Sequence, residues 1–153
     1  MRMSDFVVRD AIVPGLAAAN KEGVIREMVE ALRGAGQFKG ADPEDIVRAV
    51  LRRELLGSTG IGRGVAIPHA KHGSVDRPIG TLAVSPQGVA FESLDGEPVY
   101  VFVLLVSPMD RPGEHLRALE NVSRCLRDDE FVRSLRGAHS REEISTLLDR
   151  IDH

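Results

Sequence analysis

The sequence predicts a single α/β domain over residues 1–153, and three features of the chain support this prediction. Apolar residues recur at helical spacing near both ends of the chain, within residues 20–55 and 112–151. Between these segments, residues 99–106 form a near-continuous apolar run that is typical of a strand buried on both faces. No repeat, low-complexity tract or linker interrupts the chain, so helices on both sides of one sheet are the simplest arrangement.

The first two helices are predicted from their caps and from the spacing of their apolar residues. Residues 6–8 form either an edge strand or an inward-packing loop. Asn20 is the expected N-cap of the first helix, which ends at Gly34. Asp42 and Pro43 mark the start of a second helix, which ends before Gly57. The apolar positions of the two helices are Val24, Ile25, Met28, Val29 and Leu32, then Ile46, Val47, Val50, Leu51 and Leu55.

The end of the second helix carries three charged residues with different predicted surroundings. At about 100° per residue, Arg52 points away from the apolar half of the helix, whereas Arg53 lies at its edge. Arg52 should therefore be solvated, and Arg53 should lie beside whatever the helix packs against. Glu54 falls within the apolar half, where it is either the buried partner of a cation or turned outward.

The strands are predicted at residues 65–67, 79–84 and 99–106, with the last at the centre of the sheet. Proline, glycine and Asp-Gly turn signals separate the second and third strands, and residues 89–91 are a candidate extra strand. Pro68 lacks a backbone N–H and has a fixed φ, so the first strand should stop there. His69 is then presented at a strand end and is the first candidate for chemistry.

Three helices are predicted to close the chain. Pro112 suits the first turn of a helix with Leu116, Leu119, Val122 and Leu126 as its apolar residues. His115 lies one turn into this helix on the same face as Leu119, so its ring should tend toward the core. Asp128 and Asp129 begin the next helix, and Ser140 and Glu143 form a capping box for the last one.

Composition and charge exclude several classes of protein. The 20 basic and 23 acidic residues are nearly balanced, which gives no footprint for nucleic-acid binding. No segment has the apolar length of a signal peptide or a membrane span, so we expect a cytoplasmic protein without direct membrane insertion. The single cysteine, Cys125, cannot form an internal disulfide and is expected to be a small buried hydrophobic residue.

The glycine-rich segment at residues 57–64 resembles a phosphate-binding loop but lacks its essential parts. Such a loop needs lysine, then serine or threonine, and then a helix, whereas here Arg63-Gly64 is followed by a strand. A helix end followed by a turn that needs positive φ is therefore the favoured interpretation of these glycines. His69 and His115 could form a metal pair or a donor and orienter pair. Metal-ligand spacing is absent from the sequence, which disfavours metal, and His72, His139 and His153 are expected to be solvated.

The chain carries, in this order, the motifs Arg53-Glu54, LGSTGIG at 56–62, AIPHAK at 66–71, LDGEPV at 94–99, LLV at 104–106 and His115-Leu116. Together they resemble the enzyme IIA domain of the fructose/mannitol class of the bacterial phosphotransferase system. This resemblance covers nearly the whole chain and implies an α/β sandwich in which helices flank a mixed central sheet on both faces. It also implies that His69 accepts a phosphoryl group from HPr or a paralogue, with Arg53 and His115 as the supporting pair.

The chemistry of these residues agrees with the implied roles. A neutral imidazole such as that of His69 is nucleophilic near neutral pH, and the Arg53 guanidinium matches the geometry of a phosphate. His115 can bond the phosphoryl oxygens or orient His69. The resemblance implies that no metal or nucleotide cofactor is needed, and that a partner docks on the small or apolar residues Gly60, Ile61, Gly62 and Ala70.

Within this family the resemblance leaves two roles open. A nitrogen-type regulatory IIA, whose phosphorylation state controls binding to a target protein, is favoured over a sugar-specific IIA that passes the phosphoryl group to a cysteine of a IIB domain. The donor is expected to be HPr or the nitrogen-type HPr paralogue. A protein-binding regulatory module that is not phosphorylated is the alternative from a different class, and a metal-dependent hydrolase lacks a third ligand.

Overall fold

The computed structural model describes residues 1–152, which contain five α-helices, five strands and two short 3-10 turns. The 3-10 turns, Met3–Asp5 and Arg9–Ala11, precede the first helix. The helices are α1 (Lys21–Gly34), α2 (Pro43–Leu55), α3 (Pro112–Leu126), α4 (Asp129–Arg136) and α5 (Arg141–Ile151). The strands are β1 (Gly60–Gly62), β2 (Val65–Ala66), β3 (His69–Lys71), β4 (Ile79–Val89) and β5 (Val99–Ser107).

Strand β5 is the centre of a mixed sheet, as its apolar sequence predicts. It pairs antiparallel with β4 on one side and parallel with β2 and β3 on the other, while β1 pairs antiparallel with β2. Val65 lies opposite Val101 and His69 lies opposite Leu105, so β2 and β3 follow each other along the same edge of β5. The register of β5 therefore sets the position of His69.

Helices cover both faces of the sheet, which confirms the predicted fold class. Successive residues of β5 point to opposite faces and enter two separate hydrophobic clusters. Val101, Val103 and Leu105 pack with residues of α3, α4 and α5. Phe102, Leu104 and Val106 pack with residues of α1 and α2, so β5 is shielded from water on both sides.

The predicted helix starts are confirmed by hydrogen bonds of their capping residues. Asn20 accepts a bond from the Gly23 N–H at 2.8 Å, and Asp42 accepts one from Glu44 at 3.0 Å. Asp128 accepts bonds from the N–H groups of Glu130 and Phe131 in the same way. The Ser140 hydroxyl accepts the Glu143 N–H at 3.1 Å, which begins α5 where the capping-box sequence predicts it.

Two leucines predicted to face the core are exposed instead. Leu55 is 85% exposed and Leu116 is 60% exposed. In α2 the buried positions continue from Val50 to Glu54, and in α3 they run through His115 and Ala118. Each leucine comes directly after a buried polar residue, and its side chain is rotated by about 100° around the helix axis from that residue. The prediction that both leucines face the core was therefore wrong.

The strands near the site also differ from the prediction. β4 continues past Pro86 and Gly88 to Val89, with a break in register after Val84, so residues 89–91 do not form a separate strand. β1 was not predicted, and His69 begins β3 rather than ending the strand before Pro68. Residues 6–8 are a loop that packs inward, with an isolated bridge from Val7 to Gly80.

Candidate functional site

His69, His115 and Arg53 line one open cavity of about 480 Å³. They come from β3, α3 and α2 respectively, so three elements that are distant in sequence converge on one surface. The centroids of the two imidazole rings lie 5.5 Å apart, with an angle of 54° between the ring planes. The structure thus brings together all three residues that the sequence singles out.

The imidazole of His69 is held by the backbone just before Pro68. Its Nδ1 lies 2.7 Å from the carbonyl oxygen of Ile67. A carbonyl can only accept a hydrogen bond, so Nδ1 must carry the proton and donate it. In the neutral ring this leaves the lone pair on Nε2, which is the nitrogen available for nucleophilic attack.

Burial is the main influence on the protonation of His69. Desolvation lowers the pKa of this imidazole from its ordinary value of 6.5, and the nearby Arg53 charge lowers it further. The bond to the Ile67 carbonyl and the negative charge of Glu54 act in the opposite direction. Because the net shift is downward, the ring is neutral and its Nε2 lone pair is free at neutral pH.

His115 is buried as predicted, and its ring is also neutral. It is 6% exposed, and its Nδ1 lies 2.6 Å from the Ser107 hydroxyl oxygen at the end of β5. Burial lowers the pKa of His115 to about 4, with smaller contributions from the charges of His69 and Lys71. Since Nδ1 is occupied by Ser107, Nε2 is the ring nitrogen left to contact a ligand.

Arg53 supplies a positive charge beside His69. Its Nη1 donates a 2.9 Å hydrogen bond to the Gly57 carbonyl, and no carboxylate of residues 1–152 lies within ion-pair distance. Arg53 is half-buried and Arg52 is exposed, which confirms the assignment made from the helical wheel. Arg52 and Lys71 also line the cavity, so the site is cationic and suits an anion.

Glu54 is the buried partner of a cation, which settles the two alternatives for this residue. Lys21 Nζ lies 3.0 Å from its Oε1 and also 4.9 Å from the centre of the Phe91 ring. The backbone N–H and the hydroxyl of Thr59 both donate to the Glu54 carboxylate. The Thr59 carbonyl in turn accepts the Ile67 N–H at 3.1 Å, so this pair stabilises the loop that supports His69.

Four supporting residues were not found from the sequence: Lys21, Thr59, Lys71 and Ser107. Lys21 acts through a tertiary contact that no local pattern marks. Thr59 and Lys71 lie within motifs that include site residues, and that proximity was the available signal. Ser107 has a weaker signal, since it is a polar residue at the end of an apolar strand.

The remaining candidates within the described residues do not line this cavity. His72 Nδ1 is 2.8 Å from the Ser74 hydroxyl in a turn, His139 is exposed, and His153 lies outside the described residues. Cys125 is buried as predicted, and burial raises the pKa of its thiol. In the glycine-rich segment Gly62 and Gly64 have φ values of 96° and 80°, as expected for a turn.

Within residues 1–152, no three His, Cys, Asp or Glu side chains are grouped closely enough to hold a metal ion. None of the helices described here combines the length and the apolar character needed to cross a membrane.

The sequence of this chain matches one family model and is similar to known proteins over nearly its whole length. Residues 5–151 match the family model described as phosphoenolpyruvate-dependent sugar phosphotransferase system, EIIA 2. A nitrogen regulatory protein of Bradyrhizobium diazoefficiens is 33% identical over 148 residues, which cover 97% of this chain and 95% of that protein.

Solved structures agree with the sequence comparison. Nitrogen regulatory protein IIA-Ntr of Neisseria meningitidis superposes with a TM-score of 0.86 at 28% identity, covering 95% of this chain and 98% of that one. The complex of IIA mannitol with phosphorylated IIB mannitol of Escherichia coli matches with a TM-score of 0.76 at 26% identity, covering 92% and 95%.

Proposed function

The chain belongs to the EIIA 2 family of the phosphoenolpyruvate-dependent sugar phosphotransferase system, and we propose that it is a phosphocarrier that accepts a phosphoryl group on His69. One observation carries the assignment to this residue: His69 Nδ1 is bound to the Ile67 carbonyl, while Nε2 remains free in a cationic cavity. The donor is the phosphohistidine of HPr or of a nitrogen-type HPr paralogue.

The transfer exchanges one N–P bond for another. The Nε2 lone pair of His69 forms the new bond to phosphorus as the donor's N–P bond breaks and its electron pair returns to the donor nitrogen. The Nδ1 proton stays on His69, bound to the Ile67 carbonyl. No proton needs to leave His69 before attack, so the protein mainly has to position the ring and stabilise the transferring oxygens.

Arg53 and His115 are the residues placed to stabilise those oxygens. Arg53 uses one of its five N–H groups on Gly57, and its planar guanidinium can bind two phosphoryl oxygens with others. His115, which lies in α3 rather than in α2 with Arg53, can contact the phosphoryl oxygens through its Nε2. The backbone of His69 is held by the pairing of β3 with β5.

We propose that the chain serves as a nitrogen-type regulatory IIA in the cytoplasm. The support is its likeness to nitrogen regulatory proteins over nearly their whole length, in sequence and in fold. A phosphoryl group adds roughly two negative charges to a cavity lined by Arg52, Arg53 and Lys71. That change would cancel most of the positive charge of the surface that a regulatory target contacts.

A sugar-specific IIA is the second candidate, and the likeness to IIA mannitol supports it. A similar IIA mannitol forms a complex with phosphorylated IIB mannitol, in which this fold meets a IIB partner. In this role the phosphoryl group on His69 would pass to a cysteine of a IIB domain. The two candidates share the same acceptor residue and differ in donor and acceptor proteins.

Phosphotransfer from two donors, followed by transfer to IIB domains, tests these functions. The protein is incubated with phosphoenolpyruvate, enzyme I and either HPr or the nitrogen-type paralogue, and the rate of phosphorylation is followed by intact mass. Faster phosphorylation by the paralogue, without onward transfer to fructose-class or mannitol-class IIB domains, supports regulation. Rapid transfer to a IIB cysteine supports sugar transport, and no phosphorylation by either donor would leave a protein-binding module that is not phosphorylated.

A further inference from the structure

Ser107 is a buried polar residue whose hydroxyl has one partner among the described residues, His115 of the proposed site. It lies at the end of β5 and is completely buried. Within the described residues its hydroxyl makes one hydrogen bond, with His115 Nδ1 at 2.6 Å. A buried hydroxyl needs an acceptor for its proton, since an unsatisfied polar group is costly away from water.

The direction of this hydrogen bond follows from that requirement. The nitrogen of His115 is the acceptor within reach of the Ser107 hydroxyl, so the O–H donates and Nδ1 accepts. An Nδ1 that accepts carries no proton. The neutral ring of His115 must then have its proton on Nε2.

We propose that Ser107 is a positioning residue that holds His115 as the Nε2–H tautomer, so that His115 donates a hydrogen bond to the phosphoryl group on His69. This inference rests on the proposed function for its second half, while the tautomer of His115 stands on the contacts alone.

The two imidazoles of the site then have opposite tautomers, and each suits its task. His69 is protonated on Nδ1 by its bond to Ile67, which leaves a lone pair on Nε2 to attack phosphorus. His115 is protonated on Nε2, which gives a donor for an anionic oxygen. The reverse tautomer of His115 would direct a lone pair at those oxygens and repel them.

The same strand positions both rings. Leu105 of β5 lies opposite His69, and Ser107, two residues later, lies opposite Lys71. The Ser107 carbonyl also accepts the His72 N–H at 2.9 Å, which holds the end of the ladder closed. The Ser107 hydroxyl is therefore fixed relative to His69. Its hydrogen bond to Nδ1 then fixes the position of the His115 ring as well.

The tautomer is measured on the intact protein labelled with 15N-histidine, by a long-range 1H–15N spectrum that distinguishes protonated from unprotonated ring nitrogens. In the wild-type protein we expect His115 to be protonated on Nε2 and His69 on Nδ1. In Ser107→Ala we expect protonated Nδ1 to appear on His115, with His69 unchanged. A wild-type His115 protonated on Nδ1 would overturn the assignment.

The kinetic arm measures phosphorylation of His69 by the faster of the two donors. Ser107→Ala should slow it about three- to ten-fold, the effect expected when one orienting hydrogen bond is lost. Thr81→Val is the matched control, because it removes a buried hydroxyl that has no partner among the described residues. This control should leave both the rate and the tautomers unchanged.

A double-mutant cycle separates positioning from general destabilisation. Ser107→Ala should have no further effect on the rate in a His115→Ala background, because its role acts through that ring. An equal loss of rate in both backgrounds would contradict the proposal. If the wild-type protein accepts no phosphoryl group, the proposed function fails, while the spectrum still decides the role of Ser107 in fixing the tautomer.

Discussion

His69 and His115 lie with their ring centroids 5.5 Å apart, although one begins β3 and the other lies in the first turns of α3. Strand β5 connects them, because Leu105 pairs with His69 and Ser107 contacts the His115 ring. Nδ1 of each ring is hydrogen-bonded within the protein, and neither Nε2 has a hydrogen-bond partner among the described residues. The same strand therefore positions both imidazoles of the candidate site.

Replacing Arg53 tests the role of its charge. Arg53→Ala should slow phosphorylation of His69 by roughly 10²-fold, the loss typical of one preorganised charge-stabilising group. The free energy of unfolding should fall by less than about 1 kcal/mol, because the side chain is only half-buried and its bond to Gly57 is solvent-accessible. Rates from intact mass and unfolding in urea measure the two effects.

The neighbouring arginine is the control for this experiment. Arg52→Ala removes an equal charge from the rim of the same cavity and should change the rate far less. Arg53→Lys should recover only part of the activity, since an ammonium cannot bind two oxygens with a planar fork. If Arg53→Ala unfolds the protein instead, Arg53 is a structural residue.

The buried pair of Lys21 and Glu54 should contribute to stability. Lys21→Met leaves the Glu54 carboxylate buried without its cation, which should lower the free energy of unfolding by about 1–3 kcal/mol. Arg48→Met, which breaks the exposed pair with Asp45, is the control and should cost less than about 0.5 kcal/mol. Equal effects of the two substitutions in urea unfolding would show that Lys21 and Glu54 are not coupled.

The lowered pKa values give phosphorylation and stability a shared dependence on pH. Protonation of His69 removes its lone pair, and its pKa lies below 6.5, so the rate should decline only below pH 6.5. Arg53→Ala removes a nearby cation, which should raise the pKa of His69 and move this decline to higher pH. A profile that does not respond to Arg53→Ala would contradict the electrostatic account.

The stability of the folded protein should also decrease as the pH is lowered. The unfolded chain binds protons at its histidines near pH 6.5, whereas folded His115 does so only near its pKa of about 4. The contribution of this neutral ring is therefore complete above pH 6.5 and is lost as the pH falls toward 4. Urea unfolding at pH 7 and pH 5 should show the loss, and His115→Gln should reduce it.

Local signals predicted much of this architecture from the sequence. The caps at Asn20, Asp42 and Asp128 and the apolar run of β5 act within a few residues, so their outcome does not depend on the rest of the fold. Arg53 was separated from Arg52 by helical geometry alone. The fold class could thus be predicted before any coordinates, and the convergence of His69, His115 and Arg53 was expected from the family resemblance together with these local signals.

The parts that were missed depend on contacts between distant segments. Leu55 and Leu116 face water because Glu54 and His115 take the inward positions, stabilised by Lys21 and Ser107. No spacing rule predicts that a polar residue will displace an apolar one. The short strand β1 was not predicted either, because its sequence Gly-Ile-Gly has no pattern typical of a strand.

The most direct test of phosphoryl acceptance by His69 compares the intact masses of three proteins after incubation with phosphoenolpyruvate, enzyme I and a donor. Wild-type protein and the control His72→Ala should each gain one acid-labile phosphoryl group. His69→Ala should gain none while remaining folded. A gain in His69→Ala equal to that of the wild-type protein would contradict the site, and no gain in the wild-type protein with either donor would contradict phosphotransfer itself.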